Sequence, residues 1–250
     1  MNQQPEIDRL ADLVAASKYM VALTGAGIST ESGLPDFRSP GTGLWERVDP
    51  MEVLSAEALQ FRPEVFYTQG LDLLGAFREV SPNPAHKALG RLEEAGILKA
   101  VITQNIDSLH QQAGSRKVIE VHGNLRDATC TQCFRKYPFA EIKSQVKRGI
   151  IPPKCSCGGI IRPDVVLFGD PMPPAFQEAV TEASKSDLML VIGSSLQVVP
   201  AAYLPRLAGQ LAIVNLEPTP YDAAAAVVIH GRAGEVMEAL SAELEHRGVI

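Results

Sequence analysis

Four cysteines, Cys130, Cys133, Cys155 and Cys157, fall in one short stretch of the 250-residue chain. An even number so closely spaced means either two disulfides or one metal ion. The first ten residues are polar, with no apolar run behind a basic start. That beginning is not a secretory leader, which predicts a cytoplasmic protein and favours metal over disulfides. Four thiolates with no fifth candidate describe a closed, structural zinc site, with reduced free thiols as the alternative. The second pair is C-x-C where zinc ribbons usually carry C-x-x-C, and Gly158-Gly159 directly after it offer the backbone freedom a tight metal turn needs.

A second chemical signal is Thr24-Gly25-Ala26-Gly27, which follows a short apolar run at residues 19–23. Glycines at such a point let backbone N–H groups approach a phosphate, and a following helix adds partial positive charge. The pattern departs from the dehydrogenase fingerprint. Thr30 stands where its third glycine belongs, and no second strand ending in a ribose-binding acid follows about 20 residues on. A proline-bounded polar loop, Gly33 onward to Pro40, comes instead. Among the five histidines, His122 follows the apolar run 118–121. Imidazole titrates near neutral pH and suits a general base, although a lone histidine at a strand end is commonly structural. His86, His110, His230 and His246 receive no role.

The elements that must position these groups are legible as short aliphatic runs at 19–23, 98–102, 118–121, 188–192, 211–214 and 226–229. Each lies near a helical pattern or a glycine turn. Together they predict an α/β fold, a Rossmann-like parallel sheet buried on both faces by helices. Residues 6–17 place Ile7, Leu10, Leu13 and Val14 at helical spacing. Two interruptions divide the pattern. The expected organisation is a Rossmann-like domain from 1–38, 85–124 and 163–250, a loop and helical insert at 39–84, and a metal module at 125–162. Helical patterns at 53–59 and 63–77 fill the insert, and a polar, hairpin-like stretch separates the cysteine pairs.

Composition agrees: 46% hydrophobic, 21% charged, and a formal net charge of −6. The acidic balance disfavours nucleic acid and anionic membranes and favours cationic partners such as lysine-rich peptides. No run approaches the ~18 apolar residues of a membrane span. A zinc-ribbon binding module remains a rival, resting on the cysteines and on Lys143, Lys147, Arg148 and Lys154; the net charge and the motifs outside the module argue against it.

The string Gly25-Ala26-Gly27-Ile28-Ser29-Thr30-Glu31-Ser32-Gly33-Leu34-Pro35-Asp36-Phe37-Arg38 resembles the signature of the sirtuin family. The resemblance continues, in family order, through Thr103-Gln104-Asn105-Ile106-Asp107, Val121-His122-Gly123-Asn124, Arg162-Pro163-Asp164-Val165-Val166-Leu167-Phe168-Gly169-Asp170, Gly193-Ser194-Ser195 and Val214-Asn215-Leu216-Glu217. It implies an NAD-consuming protein deacetylase acting on acetyl-lysine proteins or peptides, with longer apolar acyl groups as a further option. NAD is then a co-substrate and zinc a structural ion, and neither membrane nor direct nucleic-acid binding is expected.

Residue by residue, the resemblance implies that Gly25, Ala26, Gly27, Ser29, Thr30, Asp36 and Arg38 hold NAD near its pyrophosphate. Gly193, Ser194, Ser195, Asn215, Leu216, Glu217 and Ala233 face the adenosine half. Gln104, Asn105, Ile106 and Asp107 take the nicotinamide end, and Phe37 shields the reacting ribose carbon. His122 contacts the cofactor as the general base: the acyl oxygen attacks the ribose carbon as nicotinamide leaves, and His122 then draws a proton from the ribose hydroxyls. The products are free lysine, nicotinamide and O-acyl-ADP-ribose. The peptide lies between 166–170 and 197–200 by strand addition, with Val166, Phe168, Gly169, Val198 and Val199 as its contacts. Succinyl-preferring sirtuins carry Tyr and Arg three residues apart in the insert; here Tyr67 is followed by Gly70, which implies poor succinyl removal. Mono-ADP-ribosyl transfer from the same pocket is the alternative activity.

Overall fold

A computed structural model of the protein describes residues 3–36, 43, 49–75 and 80–250. Among the described residues, nine strands form two sheets. The larger contains β1 (Met20–Thr24), β2 (Leu98–Thr103), β3 (Val118–Glu120), β7 (Leu188–Ile192), β8 (Leu211–Val214) and β9 (Val227–Ile229), all parallel, in the order β3-β2-β1-β7-β8-β9. The smaller is antiparallel and contains β4 (Gly123–Cys130), β5 (Lys136–Pro138) and β6 (Ile161–Val165), in the order β5-β4-β6.

Successive side chains along a strand point to opposite faces, so a parallel sheet covered on both sides needs continuous apolar runs. β1 shows the division. Met20 and Ala22 join a core under the helices Gln4–Ala16, Pro84–Glu94 and Ala233–His246. Val21 and Leu23 join a second core with Ala179 and Ala183 of the Pro174–Lys185 helix on the opposite face. The expected α/β architecture is present.

The two interruptions differ in detail from their sequence patterns. Pattern 53–59 breaks into helices Pro50–Val53 and Ala56–Phe61, because Ser55 pairs as an isolated bridge with Phe168 and its hydroxyl caps the second helix at the Ala58 amide. Pattern 63–77 contains a π-helical segment, Phe66–Gly70, between Pro63–Val65 and Leu71–Gly75. The stretch between the cysteine pairs is hairpin-like only at its start, where β5 pairs antiparallel with β4. It holds the helix Phe139–Lys147, whose Phe139 and Ile142 are buried three residues apart. Both interruptions share one core: Leu54, Phe66, Tyr67 and Leu71 pack with Ala128, Phe139, Ile142 and Ile161. The buried Tyr67 hydroxyl donates across it to the Ile161 carbonyl at 2.8 Å.

Strand order reverses between β1 and β7, since the chain leaves β1 toward β2 and β3 and returns on the other side. Turns leaving the carboxyl ends of such neighbours frame the usual ligand crevice of open α/β sheets. Here main chain lies against main chain. The Gly27 amide donates to the Gly193 carbonyl at 2.9 Å, and a Cβ on Gly193, at φ +61°, would lie 2.1 Å from the Ile28 nitrogen. Gly193→Ala is expected to cost ~3 kcal/mol or more and lower the melting temperature by roughly 6–12 °C. A calorimetric scan matching wild type would show that this contact does not constrain the fold.

Candidate active site

A cavity of about 820 Å³ opens at that reversal point. Its wall brings together Gly25, Ala26, Gly27, Ser29, Thr30 and Asp36 from the first turn, Gln104, Asn105, Ile106 and Asp107 after β2, and His122 after β3. Gly193, Ser194 and Ser195 follow β7, Asn215, Leu216 and Glu217 follow β8, and Ala233 begins the last helix. Val166, Phe168, Gly169, Val198 and Val199 complete the mouth. Phe37 and Arg38 lie outside the described residues. Leu54, Met172 and Arg232 also line the cavity and were not singled out from the sequence. Val199 and Leu216 are more than half exposed despite being apolar, as befits surface that a ligand covers.

The segment after Gly25 is a seven-residue 3-10 helix, Ala26–Ser32, rather than a long α-helix. Its macrodipole is correspondingly small, so the close approach permitted by glycine matters more than axial charge. Glu31, on this segment, accepts from the Gly234 amide and so ties the first turn to the start of the Ala233–His246 helix.

The polar floor is a hydrogen-bonded set. Ser29 Oγ donates to Asp107 Oδ2 at 2.7 Å, and the Leu109 amide donates to Asp107 Oδ1 at 2.9 Å. Asn105 Nδ2 reaches the Gly25 carbonyl at 3.2 Å and Ser29 Oγ at 3.1 Å. Gln104 Nε2 donates to Ser194 Oγ at 2.9 Å across the reversal point. Burial raises the Asp107 carboxyl above its ordinary value, opposed by the Leu109 and Ser29 bonds.

His122 occupies the junction of the two sheets. Its carbonyl accepts from the Val166 amide at 2.9 Å, and Gly123, at φ +75°, follows it where a Cβ would meet the Asp164 carbonyl at 2.0 Å. Its ring Nδ1 lies 3.0 Å from the Gln104 carbonyl. A carbonyl only accepts, so Nδ1 carries the proton and Nε2 keeps its lone pair. Burial also holds the ring below its ordinary pKa, with the Gln104 carbonyl opposing. Together these leave a neutral imidazole with a basic Nε2 at neutral pH.

The loop 165–170 is braced from below. Arg162 Nη2 donates to Asp170 Oδ2 at 2.6 Å and to the Val165 carbonyl at 3.1 Å, and the Leu167 amide donates to Asp170 Oδ2 at 2.9 Å. From the side, the Ala56 amide donates to the Phe168 carbonyl at 2.9 Å.

The cysteines form a separate cluster, with all four Sγ atoms within 4.8 Å of one another. Cys130 and Cys157 are 3.5 Å apart and Cys133 and Cys155 3.6 Å, far beyond a disulfide bond. Tetrahedral Zn–S bonds of about 2.3 Å put thiolates about 3.8 Å apart, so the four fit a zinc ion. The C-x-C pair is accommodated by its glycines: Gly158 has φ +91°, and a Cβ on Gly159 would meet Cys130 Sγ at 2.7 Å. The Cys157 backbone amide and the Tyr137 hydroxyl, 3.0 Å away, hold the Cys155 thiol down to about 5.

His86 and His110 received no role from the sequence. Both are fully buried beneath the floor. Nothing in their spacing marks them, since each sits in a helical segment beside apolar neighbours.

Comparison with known proteins then places the chain. A sequence model described as the Sir2 family matches residues 25–200. An NAD-dependent protein deacetylase of Caldanaerobacter subterraneus subsp. tengcongensis is 53% identical over 93% of this chain and 94% of its own length. One from Sulfolobus acidocaldarius is 48% identical over 91% and 90%. Among solved structures, a Sir2 protein with a p53 peptide and NAD+ superposes with a TM-score of 0.86 at 38% identity, covering all of both chains. A Sir2 complex with deacetylated p53 peptide and 3′-O-acetyl-ADP-ribose reaches 0.89 at 39%, again over the whole of both.

The cysteine geometry generates its own test. Cys155→Ala leaves three thiolates, and the protein is expected to lose its zinc and melt at lower temperature, because metal binding is coupled to folding. Elemental analysis returning one zinc per chain for that variant would exclude the four-cysteine site.

Proposed function

The chain belongs to the Sir2 family, an NAD-dependent protein deacetylase by that membership, and we propose how its own residues carry out the reaction. The observation that carries the proposal is the tautomer of His122. Its Nδ1 proton is committed to Gln104, which leaves Nε2 as the base on a ring that lines the cavity.

NAD, when bound, supplies an electrophilic ribose carbon and nicotinamide as leaving group. Gly25, Ala26, Gly27 and Thr30 offer backbone and hydroxyl groups for its phosphates, where a glycine turn lets an anion approach the main chain. Ser194, Ser195, Asn215 and Glu217 line the adenosine side, with Asn215 Nδ2 oriented by the Glu217 carbonyl at 2.7 Å. Asn105 and Asp107 take the carboxamide end, and Ile106 keeps that corner dry. Removing water there raises the worth of each polar contact. Phe37 and Arg38 keep the shielding and pyrophosphate roles implied by the family.

The acetyl-lysine segment runs between 165–170 and 197–200, which both line the cavity mouth, and pairs through backbone groups. Val166, Phe168 and Val199 flank the apolar stem. The acyl oxygen takes the place of nicotinamide at the ribose carbon; His122 Nε2 accepts a proton from a ribose hydroxyl, whose oxygen attacks the acyl carbon, and the acyl C–N bond then breaks with the lysine amine leaving as a water supplies the oxygen that completes O-acyl-ADP-ribose. The neighbouring structures with peptide, NAD+ and acetyl-ADP-ribose support this reading.

Acyl choice follows from the insert. Tyr67 is fully buried with its hydroxyl spent on Ile161, and a Cβ on Gly70 would meet the Val53 carbonyl at 2.7 Å. Neither offers a group to an acyl carboxylate. Acetyl and longer apolar chains are removed well, and kcat/KM for a matched succinyl peptide is expected at least about tenfold lower, since an unpaired carboxylate is costly to bury. Equal kcat/KM values would refute this account of the pocket.

His122→Ala is expected to fold, retain zinc and bind NAD, while kcat per folded molecule falls by about 10²–10⁴. Because burial depresses the wild-type pKa, the base form persists below neutrality, and activity falls only as pH drops beneath the ordinary imidazole value of ~6.5. A kcat in the variant close to wild type would remove His122 from the mechanism.

A further inference from the structure

The reaction as derived makes no use of the two histidines under the crevice floor. His86 lies in the first turn of the Pro84–Glu94 helix, which begins at an Asn83 cap that also donates to the Ile28 carbonyl at 2.7 Å. His110 lies in the short helix Leu109–Gln112, two residues beyond Ser108 and three beyond Asp107. Their relative exposures are 0% and 1%, and their ring centroids are 4.9 Å apart at a tilt of 57°.

Each ring turns Nε2 toward a hydroxyl of the floor. His110 Nε2 is 2.9 Å from Thr24 Oγ1, and His86 Nε2 is 3.4 Å from Ser29 Oγ, the looser of the two. A hydroxyl has one proton to give. Ser29 gives its proton to Asp107, and Thr24 gives its own to Thr103 Oγ1 at 2.8 Å. Thr103 Oγ1 also accepts the Asn105 amide at 3.1 Å. With these directions Thr24 and Ser29 have only lone pairs left for the rings, and both rings donate through Nε2–H.

That assignment leaves both Nδ1 atoms as bare acceptors. Both are buried and find no hydrogen-bond partner among the described residues. An unpartnered buried acceptor carries its full desolvation penalty, and two leucines of similar volume would carry none. Burial holds His86 down to about 4 and His110 to about 3, the latter pushed further by His86, so the pair is neutral at neutral pH. What it supplies is two fixed N–H donors directly under the residues that face the carboxamide end.

We propose that His86 and His110 are positioning residues for nicotinamide: His86 fixes the Ser29 hydroxyl on Asp107, and His110 fixes the Thr24–Thr103 pair beneath Asn105. The inference rests on the assignment of Asn105 and Asp107 to the carboxamide end. It places the effect of the histidines on capture of nicotinamide rather than on the adenosine half of NAD, whose candidate contacts come from β7 and β8.

The test uses the zinc-bound protein, wild type beside His86→Leu, His110→Leu and His86→Gln. The glutamine amide nitrogen can reach the position of imidazole Nε2, whereas leucine removes the donor at similar volume. Ring ¹H–¹⁵N spectra of the wild type are expected to show His86 and His110 as Nε2–H tautomers. Both leucine variants should melt at or above the wild-type temperature, keep KM for NAD within about threefold, and weaken inhibition by nicotinamide about tenfold, the effect of losing one buried hydrogen bond. His86→Gln should restore nicotinamide inhibition to within about threefold of wild type. Leucine variants that melt lower while inhibition is unchanged would make the pair structural and overturn the inference. So would Nδ1–H tautomers. The spectra and melting curves need no substrate, so failure of this inference is separable from failure of the site assignment, which would appear as absent nicotinamide release by the wild type.

Discussion

Where the turns after β1 and β7 meet, main chain lies against main chain: the Gly27 amide bonds the Gly193 carbonyl, and no Cβ fits on either side. A hydrogen bond of this kind, made where no side chain can intervene, sets how close the two halves of the sheet come at the reversal point. The rest of the crevice inherits that spacing. Gln104 reaches Ser194 only because the turns are this close, and the carbonyl of Gln104 is the acceptor that orients His122. A chain of single contacts thus runs from a glycine pair to the base of the reaction.

Three histidines near the crevice illustrate how partners decide chemistry. His122 meets a carbonyl through Nδ1 and keeps Nε2 basic. His86 and His110 meet hydroxyls whose protons are already committed, and so face the floor as donors. The residue type is the same, and the available partner selects base or donor. The cysteine cluster acts at a different range. β4 begins directly after His122 and ends at Cys130, but it bulges, so that its ends pair with Val165 and Ile161 of β6, four residues apart, and the base and the metal site are separated by roughly 13 Å of strand. Zinc there can brace the strand that carries His122 but cannot touch the reacting atoms.

Much of this was legible in the residues. Continuous aliphatic runs encode burial on both faces, and all six strands of the parallel sheet begin and end within one residue of those runs, as β1 and β9 illustrate. The candidate site was readable because its members cluster in strand-end motifs, and strand ends converge in a parallel sheet. Other features were not readable, for physical reasons. The 3-10 geometry after Gly25 depends on contact with the β7 turn, a tertiary partner about 170 residues away. The helix Phe139–Lys147 was hidden by its polar exposed face, and the shared core of insert and module arises from contacts such as Tyr67 to Ile161 that span 94 residues. His86 and His110 become conspicuous only when their rings are seen together under Thr24 and Ser29.

The account's central claim is that cleavage of NAD in this crevice is coupled to acyl-lysine. It is tested most directly by following nicotinamide and free lysine together, by chromatography and mass spectrometry, in reactions of the purified protein with NAD in the presence and absence of an acetyl-lysine peptide. The account predicts peptide-dependent release of nicotinamide, one for each lysine deacetylated, with O-acetyl-ADP-ribose as the third product and no NADH. Nicotinamide release that ignores the peptide, or that leaves ADP-ribose attached to protein with the acetyl group intact, would contradict it.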